Sequence, residues 1–261
     1  MATYKDIAAT TEGRVGIVEI RKPPHNFFDV ALINQIADAL EGFDADPEIR
    51  SVLFCAEGKA FCAGADFSSR PDTGLVTEEG GQVTKHLYKE AVRIFRTKKP
   101  IVAAIQGPAI GGGLGLALVA DFRIAAPEAR FSANFTRLGF HPGFGLTATL
   151  PRLVGQQKAQ MIFYTGRRYT GEEAVAMGLA DQLAPLSELR ATAMALAAEI
   201  AVAAPLALQS TRETLRRGLA DAVEAATERE LVEQEWQRHT ADFREGVKAM
   251  AERRTPDFKG R

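Results

Sequence analysis

Residues 107–120 read GPAIGGGLGLALVA, and they decide the fold because three consecutive glycines join a strand to a helix. The β-branched run at 101–106 before them predicts a buried strand, and the apolar run after them predicts a helix. Glycines carry no Cβ atom, so a ligand can approach their backbone closely. The first N–H groups of a helix lack partners within the helix and favour an anion or a developing oxyanion. The stretch therefore predicts either a backbone donor site or a turn that only packs a helix on a sheet.

Other glycine motifs do not fit these letters. A dinucleotide fingerprint requires G-x-G-x-x-G, but the third position holds Leu116 when the count starts at Gly111 and Leu118 when it starts at Gly113. No G-K-[ST] follows the glycines, which excludes a phosphate-binding P-loop. The absence of G-x-S-x-G argues against a serine α/β-hydrolase.

Strand-like and helix-like segments alternate on both sides of this stretch. Val15–Ile20 and Ser51–Ala56 predict strands, as do 101–106 and 122–126. Asp29 is expected to cap a helix, 87–96 predicts another, and the polar stretch 68–81 is the candidate mobile loop. This order predicts an α/β fold with βαβ-type winding.

The second half is helical. Thr170 and Glu173 form a capping box for a helix that is expected to end at Gly178. A helix is predicted over 187–202. The remaining expected boundaries are a start at Pro205, a stop at Gly218, and starts at Asp221 and Asp242.

Composition excludes several classes of function. The 261 residues carry a net charge of −1, so nucleic acid and an anionic membrane are not expected partners. The two cysteines, Cys55 and Cys62, form no disulfide framework. The four histidines lack metal-ligand spacing, so no metal is expected. Residues 1–6 lack the apolar core of a signal peptide and no apolar run is long enough to span a bilayer, so we expect a cytoplasmic protein.

A second loop of small residues, KAFCAGADF at 59–67, also follows a predicted strand. With it, the chain resembles the crotonase, or enoyl-CoA hydratase/isomerase, superfamily over nearly its whole length. The motifs that carry the resemblance are, in order, PHN at 24–26, FCAGAD at 61–66, KPIVAAIQG at 99–107, the triple glycine, Asp121, PRLVG at 151–155, TG at 165–166, A-x-x-x-GL at 174–179, FREG at 243–246 and RRTPDF at 253–258.

The resemblance implies an acyl-CoA enzyme of fatty acid metabolism. It implies that the N–H groups of Ala65 and Gly112 bind the thioester oxygen, a pair of donors that would stabilise an enolate. Other implied contacts with the substrate come from Ala63, Asp66, Gly111, Phe135 and, for a phosphate, Arg253. It also implies a ββα spiral core over 1–200 and a C-terminal helical region over 201–261 that forms trimers or dimers of trimers. Coenzyme A would be part of the substrate, with no other cofactor.

The chain departs from the superfamily where acid–base chemistry is expected. A hydratase of this kind has two glutamates, and the matching positions here are Gly115 and Phe135. The dehalogenase branch has a nucleophilic aspartate where Gly143 stands, and the dienoyl-CoA isomerase branch has an acidic group at the same place. The usual carboxylate mechanisms therefore cannot be assumed.

Two residues are candidates for the missing acid or base. His141 titrates near neutral pH and lies in a segment that faces the acyl pocket in related enzymes, although it is equally compatible with a structural role. Tyr88, on the predicted helix over the pocket, matches a functional histidine of the dehalogenases and follows His86. Asn134 is able to orient water but not to accept a proton, and Phe135 is expected to form an apolar wall.

Three functions remain open at this stage. The first is an enzyme of the hydratase or isomerase type with unusual acid–base residues. The second is an acyl-CoA hydrolase or decarboxylase of the same fold. The third is a catalytically silent acyl-CoA-binding homologue.

Overall fold

The computed structural model describes residues 3–66, 76–79 and 82–261. The strands are β1 (Ile7–Glu12), β2 (Val15–Ile20), β3 (Ser51–Ala56), β4 (Val76–Glu79), β5 (Gln82–His86), β6 (Ile101–Ile105), β7 (Pro108–Ile110), β8 (Phe122–Ala125), β9 (Arg130–Ser132), β10 (Tyr169–Thr170) and β11 (Gln182–Leu183). The helices are α1 (Val30–Ala45), α2 (Leu87–Phe95), α3 (Gly112–Ala117), α4 (Leu146–Val154), α5 (Gln156–Thr165), α6 (Gly171–Met177), α7 (Leu189–Ala201), α8 (Pro205–Leu215), α9 (Leu219–Gln237) and α10 (Ala241–Ala251), with a 3₁₀ helix at Asn134–Leu138.

The larger sheet has the strand order β1-β2-β3-β6-β8-β11. β1 runs antiparallel to β2, and the later strands are parallel, with β2 and β3 in register from Val15 opposite Ser51 to Ile20 opposite Ala56. Alternate residues face opposite sides of a strand. Val18, Val52 and Ala103 thus join the main core, whereas Ile17, Leu53 and Val102 join a second core beneath α7.

The smaller sheet has the order β10-β9-β7 and carries the glycine segment. β7 pairs with β9 in parallel and leads directly into α3. Cys62 adds a parallel bridge to Ala109 on β7. The loop after β3 is therefore bound to the strand that precedes the glycines.

The C-terminal helices pack on the rest of the chain. α9 contacts α2 and α4, and α10 contacts the 3₁₀ helix. The expected boundary between 1–200 and 201–261 falls at the end of α7. Among the described residues no single helix is long and apolar enough to cross a membrane. Only α7 and α8 taken together, with a bend of 108° between them, reach the length and apolar composition of a membrane span.

The sequence predicted most element positions. The α/β spiral architecture is confirmed, as are β2, β3, the Asp29 cap of α1, and the capping box that opens α6. The expected stop at Gly218 is wrong, because α8 ends at Leu215 and Gly218 caps α9. Asp221 and Asp242 lie inside first turns instead of beginning helices. Of the candidate mobile loop, only 76–79 falls within the described residues, where it forms β4.

Candidate active site

The glycine segment holds its backbone in a conformation that side chains would block. Gly111 caps α3 with φ of 57°, and its N–H donates to the Ser132 carbonyl at 2.8 Å. A Cβ on Gly113 would lie 2.0 Å from the carbonyl oxygen of Cys62, and one on Gly112 would lie 2.2 Å from the Phe28 ring. Both contacts are shorter than van der Waals distance, so close packing requires glycine at 112 and 113, whereas the positive φ favours it at 111.

The loop after β3 runs beside this segment. The Cys62 N–H donates to the Pro108 carbonyl and the Ile110 N–H to the Cys62 carbonyl, both at 3.1 Å. Gly64 has φ of 84°, and a Cβ there would stand 3.8 Å from the Gly112 nitrogen. Within residues 3–66, 76–79 and 82–261, neither the Ala65 N–H nor the Gly112 N–H has an acceptor. Two unpaired donors therefore lie on adjacent segments.

Both donors line one cavity of about 330 Å³. The polar and small residues around it include Ala63, Gly64, Ala65, Asp66, Gly111, Gly112 and Asn134. Aromatic side chains form much of the remaining lining, and Phe135 packs on Phe140 with ring centres 5.4 Å apart. The cavity is thus an apolar pocket with backbone donors on one side, the usual form of a small-molecule site.

Aromatic groups occupy the places of the missing carboxylates. A Cβ on Gly115 would lie 2.7 Å from the Phe144 ring, and one on Gly143 would lie 2.4 Å from the Tyr88 hydroxyl. Phe144 has φ of 66°, is buried, and stacks on Phe28 with ring centres 5.7 Å apart. The third position, Phe135, lines the cavity with its ring. Rings therefore occupy the space at the three positions where related enzymes have acids.

Tyr88 belongs to the cavity lining. It sits on α2, its side chain is buried, and its hydroxyl lies 3.4 Å from Nε2 of Gln234. Burial raises the pKa of the Tyr88 phenol, although the Arg238 charge and the Gln234 hydrogen bond oppose the shift. The group is therefore a neutral donor at pH 7, not a base.

His86, two residues before Tyr88, has a structural role. Its Nδ1 accepts from the Tyr88 N–H at 3.1 Å and so caps α2. Burial, together with the positive charges of Arg238 and Lys89, lowers the pKa of His86 to about 4. The imidazole is therefore neutral at physiological pH.

His141 lies elsewhere, which corrects the expectation that its imidazole faces the acyl pocket. The side chain lines a separate cavity near Trp236 and Gln237, and its Nδ1 lies 2.8 Å from the Pro142 carbonyl. The backbone points the other way: the His141 carbonyl accepts from Gln234 at 2.8 Å. The turn through Pro142 and Gly143 separates this ring from the pocket.

Arg253 lies next to the acyl cavity instead of in it. It lines a cavity of about 510 Å³ that shares Asn134, Leu138, Arg168 and Met250 with the acyl cavity. Arg254, its neighbour, pairs with Glu245 and Glu252, whereas Arg253 has no ion pair within the described residues.

Gln234 and Arg238 are residues that the sequence did not indicate. Gln234 lies in the last turn of α9 and Arg238 is the C-cap residue of that helix, and Nη2 of Arg238 donates to Oε1 of Gln234 at 3.0 Å. The i, i+4 spacing of Gln234 and Arg238 is visible in the sequence. No sequence pattern, however, indicates that Gln234 contacts Tyr88, which is 146 positions away. Phe144 was missed because no local pattern shows which side chain fills the space above Gly115.

The chain is similar in sequence to known proteins. Residues 10–261 match the family model described as enoyl-CoA hydratase/isomerase. A putative enoyl-CoA hydratase of Thermus thermophilus is 35% identical over 95% of this chain and 98% of its own length. A probable enoyl-CoA hydratase of Bacillus subtilis is 34% identical over 97% of this chain and 98% of its own.

Solved structures agree with these matches. An enoyl-CoA hydratase/isomerase from Pseudoalteromonas atlantica superposes with a TM-score of 0.87 at 32% identity, covering 98% of this chain and 100% of that one. A carnitinyl-CoA hydratase from Mycobacterium avium gives 0.85 at 30% identity, covering 99% and 100%.

Proposed function

Because the chain belongs to the enoyl-CoA hydratase/isomerase family of acyl-CoA-processing enzymes, we propose that it stabilises a thioester enolate between the Ala65 and Gly112 N–H groups. The observation that carries the proposal is the convergence of these two unpaired donors on one apolar cavity. Charge that develops on the thioester oxygen is stabilised most by donors that are already in place. The bridge between Cys62 and Ala109 keeps the two donor segments together before substrate arrives.

The leading reaction is addition of water to an enoyl-CoA, or movement of its double bond. In hydration, the water oxygen bonds to Cβ while one of its O–H bonds breaks and that proton passes to a base, for which the lining offers the Asp66 carboxylate. The π electrons move to the thioester oxygen, and the enolate then takes a proton at Cα as the carbonyl re-forms. Tyr88 is the donor on the pocket side that related enzymes equip with carboxylates. Asp66 contributes a carboxylate to the lining.

Decarboxylation of an α-carboxyacyl-CoA is the second candidate. It is favoured by Phe144 and Tyr88, which fill the positions of the usual bases. In this reaction the bond between Cα and the carboxylate breaks, carbon dioxide leaves, and the electron pair becomes the same enolate. Only a proton donor is then needed, and the neutral Tyr88 phenol fits that role.

The nucleotide end of coenzyme A is assigned to the cavity beside the acyl pocket. Arginines are well suited to phosphate groups. Five of them line this cavity: Arg137, Arg167, Arg168, Arg253 and Arg254. Arg253, without an ion pair among the described residues, is the proposed phosphate contact.

Self-association is proposed for the C-terminal helices. α8 buries only Arg212 and leaves Leu206 82% exposed. Val202, Leu215 and Trp236 are exposed as well. Apolar surface of this kind is typical of a subunit interface. Light scattering on a sizing column is expected to give a trimer or a dimer of trimers, and a monomer at micromolar concentration would contradict this.

Three assays on the purified protein separate the reactions. Loss of the conjugated absorbance of crotonyl-CoA reports hydration, carbon dioxide release from malonyl-CoA reports decarboxylation, and free thiol reports hydrolysis. We expect the first or second at a typical enzymatic rate, on the order of 10 s⁻¹. Thiol release alone would assign a hydrolase. Binding of acyl-CoA without turnover in any assay would contradict catalysis and favour a silent binder.

A further inference from the structure

The buried stripe of α9 is polar along most of its length. Val223 is followed at helical spacing by Thr227, Glu230 and Gln234, and each is 1% exposed or less. Buried polar groups are costly unless they have partners. The carboxylate of Glu230 accepts from the Gly145 and Thr147 N–H groups and from the Thr147 hydroxyl, so it caps α4. The partners of Gln234 instead lead into the acyl cavity.

The direction of each hydrogen bond at Gln234 follows from Arg238. A guanidinium has donors only, so the oxygen of the Gln234 amide must be the atom that faces it. The amide nitrogen therefore points the other way, where it donates to the His141 carbonyl at 2.8 Å and to the Tyr88 hydroxyl at 3.4 Å. Since the Tyr88 oxygen accepts from Gln234, its own proton is available for a different acceptor.

No described residue accepts this proton, and Tyr88 lines the acyl cavity. We propose, on the basis of the function proposed above, that Gln234, held by Arg238, is the positioning residue that fixes the Tyr88 hydroxyl as a hydrogen-bond donor toward the acyl group. Three residues from two helices thus form one directed chain of hydrogen bonds. In this chain the amide of Gln234 prevents the hydroxyl from turning its proton away from the substrate.

The charged groups around the phenol agree with a donor. Arg238 and Glu230 approach from α9, and the neutral His86 approaches from the start of α2, its ring centre 5.2 Å from that of Tyr88. Burial and Glu230 raise the pKa of Tyr88, while Arg238 and Gln234 lower it. His141 lies beyond Glu230, and Asp38 and Glu41 on α1 pair with Arg93 on α2. Removal of Gln234 or Arg238 is therefore expected to raise the pKa of Tyr88 further.

The test combines kinetics with a direct view of the phenol. The four tyrosines are replaced biosynthetically by 3-fluorotyrosine, and the ¹⁹F resonance of position 88 is assigned by its absence in Tyr88→Phe. Gln234→Leu removes the donor, and Gln234→Glu offers the hydroxyl an acceptor at the same place. Gln237→Glu is the matched control: it lies on the same helix, keeps an acceptor for the His141 N–H, and makes no contact with Tyr88 among the described residues. Arg238→Met removes the cation, and Arg238→Lys keeps it.

We expect both Gln234 variants to lower kcat at least about tenfold while KM changes less than about threefold. The ¹⁹F resonance of position 88 should move, and the basic limb of kcat/KM should shift to higher pH in Gln234→Leu. Gln237→Glu should match the wild type, and Arg238→Lys should retain more activity than Arg238→Met.

An unmoved Tyr88 resonance in Gln234→Leu, or an unchanged kcat when Tyr88→Phe is impaired, would overturn the positioning role. If the resonance moves but Tyr88→Phe keeps full kcat, the positioning of the hydroxyl stands and the catalytic role of Tyr88 in the proposed function falls. The resonance is read without substrate, so the two failures are distinguishable.

Discussion

The acyl cavity has two sides that are built in different ways. One, the backbone wall, consists of Ala63–Asp66 with Gly111 and Gly112, and its functional groups are N–H donors. The other, the side-chain wall, consists of Phe28, Tyr88 and Phe135, which come from three separate parts of the chain. Phe144 and Gln234 contact Tyr88 from outside the lining. The backbone wall needs only small residues in two short segments. The side-chain wall needs particular atoms from distant positions, so it is the side on which the chemistry of such a fold can change.

The backbone wall is tested by removing one donor without adding atoms. Replacing Ala65 by lactic acid converts its N–H into an ester oxygen, and we expect kcat to fall by about 10²–10³. This change is cleaner than Gly112→Pro, because any Cβ at 112 overlaps the Phe28 ring. The measurement is kcat on whichever substrate turns over, with an ester at the exposed Ala222 as control. A loss below about fivefold would remove Ala65 from the oxyanion hole.

The side-chain wall is tested first at Tyr88. Tyr88→Phe keeps the ring in the core and removes the hydroxyl, so we expect kcat to fall about a hundredfold. The melting temperature of the variant checks that packing is intact. Full activity would assign the wall a purely structural role and leave catalysis to the backbone donors alone.

His86, which packs on Tyr88 of the side-chain wall, makes the stability of the protein depend on pH. Its pKa is about 4 in the folded protein against about 6.5 in the unfolded chain, so the unfolded state binds more protons between these values. The free energy of unfolding therefore has its full value, as far as His86 is concerned, above about pH 6.5. It decreases as the pH falls to about 4, by about 3 kcal/mol at most.

The comparison variant is His86→Asn, because asparagine also caps helices but does not titrate. Urea unfolding at a series of pH values should show the wild type losing more stability than the variant across that window. Parallel stability curves for the two proteins would refute the shift.

The close packing of Phe144, whose ring contacts Tyr88, is tested by stability. Gly115→Ala places a Cβ against the Phe144 ring and is expected to cost about 1–3 kcal/mol. With Phe144→Ala in the background that penalty should disappear, which gives a coupling free energy of the same size. Gly42→Ala, in α1 with open space around it, is the matched control and should stabilise by about 1 kcal/mol. Additive effects at 115 and 144 would contradict the contact.

The smallest effect is expected at His141. His141→Ala should change kcat/KM less than about threefold, because the imidazole faces a different cavity and only its backbone contacts Gln234. Retention of the melting temperature shows that the turn is intact. A loss above about tenfold would return the imidazole to the site.

The two walls differ in how much of each could be predicted from the sequence. Strands such as Ser51–Ala56 follow from contiguous letters, because strand periodicity acts locally. The small residues around Ala65 and Gly112 are also contiguous, and the resemblance of their motifs to the superfamily led to the prediction of the two donors. The contact of Gln234 with Tyr88 depends on how α9 packs on α2, which no local pattern encodes. The prediction that the His141 imidazole faces the acyl pocket was wrong for the same reason, since one turn of backbone decides which cavity a ring enters.

Phe144 also limits which related sequences this chain can reach. A glutamate at 115 would overlap the Phe144 ring, and removing that ring first would empty part of the core between Phe28 and Tyr88. Each single substitution therefore passes through a less stable protein, and only the pair together makes room for a carboxylate. In evolutionary terms, the Phe144 ring places a glutamate at 115 two coupled substitutions away from this sequence, not one.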